Sequence, residues 1–204
     1  MNAILKEPEM KKLAEDISFI SKGYKKMTQE EIANVQNKII LSGNAELIYQ
    51  FAEECEGCDV EKLGRAVAKT NNAEFIYKFA FFIKGAPIEL LQEAIINTQN
   101  AEYICGFARD VRLADKEMLA QEVINIGDPL YLHYYAKVVQ ISNKVKEALA
   151  KAFIKAEDVV VTDEEEREYL KLRLSFAEEV MYMPLEEFIL EFSENEDNNK
   201  KLIG

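Results

Sequence analysis

Tryptophan is absent from this 204-residue chain, histidine occurs once (His133), cysteine three times, and apolar runs are short. Each shortage narrows the choice of class. A membrane-spanning helix needs about 18 consecutive apolar residues, so no span is expected. Three cysteines give no paired disulfide framework and fit a reducing compartment. A lone imidazole can act as a general base, but no Ser or Cys is tied to His133 by spacing, so packing is the expected role. The first eight residues lack the apolar core of a signal peptide. A soluble, cytoplasmic protein is expected.

Basic residues are also short, with 25 Lys+Arg against 37 Asp+Glu and a net charge of −12. The deficit is local. Residues 1–156 hold 22 acids and 20 bases, whereas 157–197 hold 15 acids and three bases, Arg167, Lys171 and Arg173. Phosphate neutralisation supplies most non-specific nucleic-acid affinity, so direct binding of DNA or RNA is not expected. A protein partner, of basic character where it meets the acidic end, is the natural inference.

What the chain does have is an internal repeat. Asn-Ala-Glu occurs at Asn44, Asn72 and Asn100, 28 residues apart each time, and a diverged unit begins at Asp128. The first two units share 12 of 28 positions and the next pair 11. A period of 20–50 residues marks units that bury their apolar faces by stacking on neighbours. Within each unit, position 1 is an N-cap residue, position 2 is Ala or, at Pro129, the proline that a first helical turn accepts, and position 3 is usually acidic. Positions 4, 5, 8, 9 and 12 are apolar, which is one face of a helix. A break carrying Gly57, Gly85, Pro87 or Asp115 follows, then a second helix with apolar residues at positions 17, 20, 24 and 25. Each unit reads as an antiparallel helical hairpin of about twelve residues per helix.

The frame extends both ways. Upstream, Asp16, Phe19 and Ile20 open a hairpin altered at Gly23-Tyr24, and Thr28 with Glu31 forms a capping box for its second helix. Downstream, Leu149, Ala152 and Phe153 fall two places late, which points to a longer hairpin loop. After an insertion holding an extended linker at 159–161, Phe176-Ala177, Val180 and Met183-Pro184-Leu185-Glu186 restart the pattern. The expected fold is all-α: a right-handed α-solenoid of about six stacked hairpins, with a cap at 1–43, repeats over 44–157 and an acidic cap at 158–204.

The chemical candidates have plain structural explanations. Cys55-Glu56-Gly57-Cys58 has the spacing of half a zinc site, but Cys55 shares position 12 with Ile83, Val111 and Val139, where cysteine serves as a small apolar residue. Cys105 and His133 lie in other units, so no metal or cofactor is expected. The acids of 164–166 point in different directions on a helix and suit a first turn. Phe81-Phe82 stand out because positions 10 and 11 carry Glu53-Glu54 and Arg109-Asp110 in the flanking units. They are either a docking surface or, for Phe82, core filler. From helical spacing Phe81 should be the more exposed. In αα-solenoids the second helices usually line the concave face, which would make Arg65, Lys69, Glu93, Asn97, Gln121 and Asn125 a polar binding stripe.

The unit seen at Asn72-Ala73-Glu74-Phe75-Ile76-Tyr77-Lys78-Phe79-Ala80 resembles short helical-hairpin repeats in uncharacterised proteins of low-GC Gram-positive bacteria and their phages. It is similar in architecture to HEAT-like α-solenoids, with shorter units. The resemblance covers residues 44–140 well and the ends poorly. It implies a bacterial or phage source and carries no catalytic residues. Function is therefore expected to be non-enzymatic: a helical scaffold binding a protein partner. The alternatives are an acidic, DNA-mimicking phage inhibitor of a nucleic-acid-processing enzyme and a HEAT-like DNA glycosylase. The latter would need a basic, aromatic-lined groove.

Overall fold

A computed structural model describes Pro8, residues 11–15, Ile17, residues 28–156 and residues 163–193, with only the main chain for 163–166 and 193. The expectations for Asp16, Phe19, Ile20, Gly23 and Tyr24, for the 159–161 linker and for the side chains of 164–166 lie outside the described residues. The protein is all-helical, with no strand among the described residues. Two compact units, Met1–Ala114 and Asp115–Gly204, divide it.

The first unit holds α1 (Gln29–Ser42), α2 (Ala45–Glu54), α3 (Val60–Ala68), α4 (Ala73–Phe82), α5 (Ile88–Asn97) and α6 (Ala101–Asp110). The odd helices α1, α3 and α5 pack in sequence on one another, and so do α2, α4 and α6. Local chemistry sets their starts. Asn44, Asn72 and Asn100 adopt extended backbone, and their side chains accept from the amides of Leu47, Phe75 and Tyr103. Each satisfies one orphan donor of a first turn. Thr28 and Glu31 form the expected capping box.

The even helices run ten residues, shorter than expected, because position 12 leaves the helix. Cys55, Ile83 and Val111 turn extended while their amides still donate to the carbonyls of Phe51, Phe79 and Phe107. Their side chains then point into the core, as do those phenylalanines, which are completely buried. Between repeats, the hydroxyls of Thr70 and Thr98 donate to the carbonyls of Val67 and Ile95 (2.6 Å each) and accept from the amides of Asn72 and Asn100. One close approach requires glycine. A Cβ on Gly64 would lie 2.5 Å from Pro87 Cγ, so α3 can approach the start of α5 only without a side chain there.

The second unit holds α7 (Lys116–Ile126), α8 (Pro129–Val138), α9 (Asn143–Lys155), α10 (Asp163–Ser175), a π-helix (Phe176–Met181) and α11 (Leu185–Ser193). Here α7, α9 and α11 pack in sequence, and α8 packs on α10 and the π-helix. Tyr135 replaces the position-8 phenylalanine. It is fully buried, and its hydroxyl donates to the Lys116 carbonyl at 2.5 Å, the partner that burial of a phenol demands.

One expectation needs correction. The late register of Leu149 and Phe153 does not come from a longer loop. Only Gln140 and Ile141 separate the cap Val139 from the cap Ser142, and the extra residues lengthen α9 to 13 residues. Toward the end of the second unit, Phe176, Ala177 and Val180 are buried as the repeat predicts. Val180, however, stays within a π-helical turn that ends at left-handed Tyr182 instead of leaving as an extended cap.

Candidate interaction surfaces

Aromatic side chains make the ring contacts between successive even helices of the first unit. Tyr49 on α2 lies against Phe75 on α4 (ring centroids 6.0 Å apart), and Tyr77 on α4 against Tyr103 on α6 (6.1 Å). Both contacts join position 6 of one repeat to position 4 of the next. Lys78 sits 5.0 Å from the Phe75 ring centre and is bonded to Glu74 one turn earlier. The Tyr77 hydroxyl donates to Asp110 Oδ2 on α6 at 2.7 Å. Arg109 also donates to Asp110, through Nε at 2.8 Å and Nη2 at 2.6 Å. These bonds, led by those from Arg109, hold the Asp110 carboxyl below its ordinary pKa, while burial, then Asp110, pushes the Tyr77 phenol up.

Phe81 and Phe82 extend the Tyr77–Tyr103 pair into solvent. Phe81 stacks on Tyr77 one turn back, with an interplanar angle of 4°, and Phe82 packs edge-on against Phe81 at 4.7 Å. Both are exposed, at 45% and 57%. The expected order is therefore reversed, and Phe82 fills no gap in the core. The reason is local: Tyr77 shields one face of Phe81, whereas Phe82 is the last residue of α4 and has the edge contact with its neighbour.

Arg65 on α3 and Lys69, its C-cap, are exposed, and the structure gives them a setting that sequence reasoning missed. With Lys62 they line a groove of about 550 Å³ between α1 and α3, whose apolar part is Ile40, Leu41 and Ala66. Leu41 is 60% exposed. The rest of the stripe is exposed too. Glu93 and Asn97 lie on α5. Gln121 and Asn125 lie on α7 in the second unit, where Gln121 donates to Asn125 Oδ1 and Asn125 to Glu122.

Cys55 is buried and Cys58 half-buried, both as free thiols. The Cys58 amide donates to the Cys55 carbonyl, so Cys-Glu-Gly-Cys closes the turn after α2. Burial raises both thiol pKa values, that of Cys58 to about 11. They stay protonated near neutrality, and the thiolate is the nucleophile and metal ligand. No group of three or more His, Cys, Asp or Glu able to hold a metal occurs among the described residues.

His133 is buried, and folding brings it the hydroxyl that spacing did not: its Nε2 lies 2.9 Å from Ser175 Oγ at the end of α10. Its ring also tilts against Phe176 at 5.8 Å. Burial, then Lys137, lowers its pKa. Lys137 in turn pairs with Glu179. The arrangement joins α8 to the π-helix, and 42 residues of sequence separate the two partners, beyond the reach of a spacing argument.

No protein-family model matches this chain, and neither does any curated protein or solved structure.

Proposed function

We propose that the chain is a non-enzymatic interaction module, a right-handed α-solenoid of stacked antiparallel hairpins that binds a protein partner. The neighbour-to-neighbour packing of odd helices with odd and even with even, within each unit, supports the solenoid reading. So does the 28-residue recurrence of Asn caps and buried position-8 rings. Repeats at 44–157 between caps at 1–43 and 158–204 fit that scheme, as does a cytoplasmic setting for three free thiols.

One observation carries the binding reading: the exposed Phe81–Phe82 pair at the end of α4, held in place by stacking on Tyr77. Large exposed aromatics lose hydration favourably on docking and dominate binding hot spots. The test is affinity capture from the native host, with wild-type and Phe81→Glu/Phe82→Glu chains side by side at low and high salt. The double variant should melt within about 0.5 kcal/mol of wild type, as surface changes do, yet lose a protein that the wild type retains. Recovery of the same proteins by both chains, or of nucleic acid alone, would overturn the reading.

A second reading, the acidic inhibitor of a nucleic-acid-processing enzyme, draws on α11, where Glu186, Glu187 and Glu191 are exposed beside Leu190. A basic partner captured at low salt and released at high salt would favour it. The glycosylase reading gains no such support, since the described lining of the α1–α3 groove includes no aromatic ring.

A further inference from the structure

We propose that the groove between α1 and α3 takes an acidic amphipathic helix of a partner protein. An apolar side chain would seat against Ile40, Leu41 and Ala66, and carboxylates would meet Lys62, Arg65 and Lys69. The inference is independent of the aromatic face, which belongs to the even helices, whereas this groove is built from odd ones.

Charge and spacing carry it. Lys62, Arg65 and Lys69 follow an i, i+3, i+7 pattern on or just past α3, which puts them along one side of that helix. Seven residues at 1.5 Å rise spread the three cations over about 10 Å. A helix with acids at the same spacing presents a matching row, and the groove's volume of about 550 Å³ has room for its apolar anchor. No acid is among the described lining residues. Two of the cations have partners on their own helix or its cap: Lys62 with Asp59 at 3.2 Å and Arg65 with Glu61 at 2.6 Å. Both pairs are exposed, and exposed pairs hold weakly against water, so an incoming carboxylate exchanges with them readily. Apolar contact at Leu41 and the absence of a stacking ring in the described lining favour a peptide over single-stranded nucleic acid, which binds through bases stacked on aromatics.

The experiment uses the full chain and two labelled helical peptides of about 15 residues, long enough to hold helix. Both carry the same leucine face; one has Glu at i, i+3 and i+7, the other Gln. Fluorescence anisotropy at low salt should give the Glu peptide about tenfold tighter binding, as charge complementarity provides. High salt should close the gap. Lys62→Gln/Arg65→Gln/Lys69→Gln should abolish the preference with melting unchanged, and Leu41→Glu should weaken both peptides. Lys69→Gln alone supplies the same comparison should the triple variant melt early. Phe81→Glu/Phe82→Glu should leave peptide binding intact, so this groove and the aromatic face succeed or fail separately. Equal or absent binding of the two peptides overturns the proposal, as does a preference that survives the lysine and arginine changes. Tighter binding of a single-stranded RNA, or self-association abolished by the triple variant, overturns it in favour of those occupants.

Discussion

His133 shows how far one residue's chemistry depends on distant chain. Its hydroxyl partner Ser175 ends α10 and its aromatic neighbour Phe176 opens the π-helix, with Lys137 and Glu179 the charged groups beside it. Burial and Lys137 favour the neutral ring, so the folded pKa lies below the ordinary 6.5. The unfolded chain therefore binds more protons as pH falls through that value, and stability must drop with it. Above the unfolded pKa this contribution is complete; it is lost as pH falls toward the folded one. The Glu179 carboxyl, held below its ordinary pKa first by its bond to Lys137, loses its contribution only in the lower carboxylate range. Urea midpoints measured between about pH 7 and pH 5.5 should thus fall for wild type. His133→Gln, which can still bond Ser175, should show a flatter dependence. Parallel curves would place the titration elsewhere.

At the scale of elements, coupling between repeats runs through side chains on successive even helices. Tyr77 on α4 donates to Asp110 on α6. One repeat earlier, the equivalent of Asp110 is Phe82, which cannot accept, and Tyr49 donates to Glu53 within its own helix instead. Tyr77→Phe should therefore cost about 1 kcal/mol, the usual net worth of such a bond. A double-mutant cycle with Asp110→Ala should reveal coupling of about 0.5 kcal/mol or more. Tyr49→Phe should cost less, because its bond is exposed and local. Zero coupling in the cycle would show that the two helices do not communicate through this bond.

The same scale shows what was legible in the sequence. Asn caps could be read because capping is settled within three residues of chain. Buried position-8 rings followed from helical period alone. The start of α9 could not be read, because Ser142 and the residues after it suit a loop or a first turn equally. The π-helix was hidden too, since Phe176, Ala177 and Val180 have ordinary helical spacing. Arg65 and Lys69 were recognised as surface residues, but Lys62, Ile40 and Leu41 join them only when α1 lies beside α3.

For the whole molecule, the solenoid reading has a consequence that no single contact has: damage should stay near where it is made. Phe79 is fully buried on α4 and approaches α3, with its Cε1 3.5 Å from the Cβ position at Gly64. Phe79→Ala should cost about 3–5 kcal/mol, as buried aromatic truncations do. In a globular core packed all ways, that loss would be shared by every protected amide. In a stack whose units touch only their neighbours, it concentrates in the flanking helices. Hydrogen exchange should therefore accelerate most over α2 to α6, with much smaller changes over α8 to α11. Phe153→Ala, at a fully buried ring of the second unit that stacks on Tyr169, should give the mirror pattern. A uniform rise in both units for either variant would mean that the chain unfolds as one cooperative body, and the nearest-neighbour solenoid would have to be abandoned.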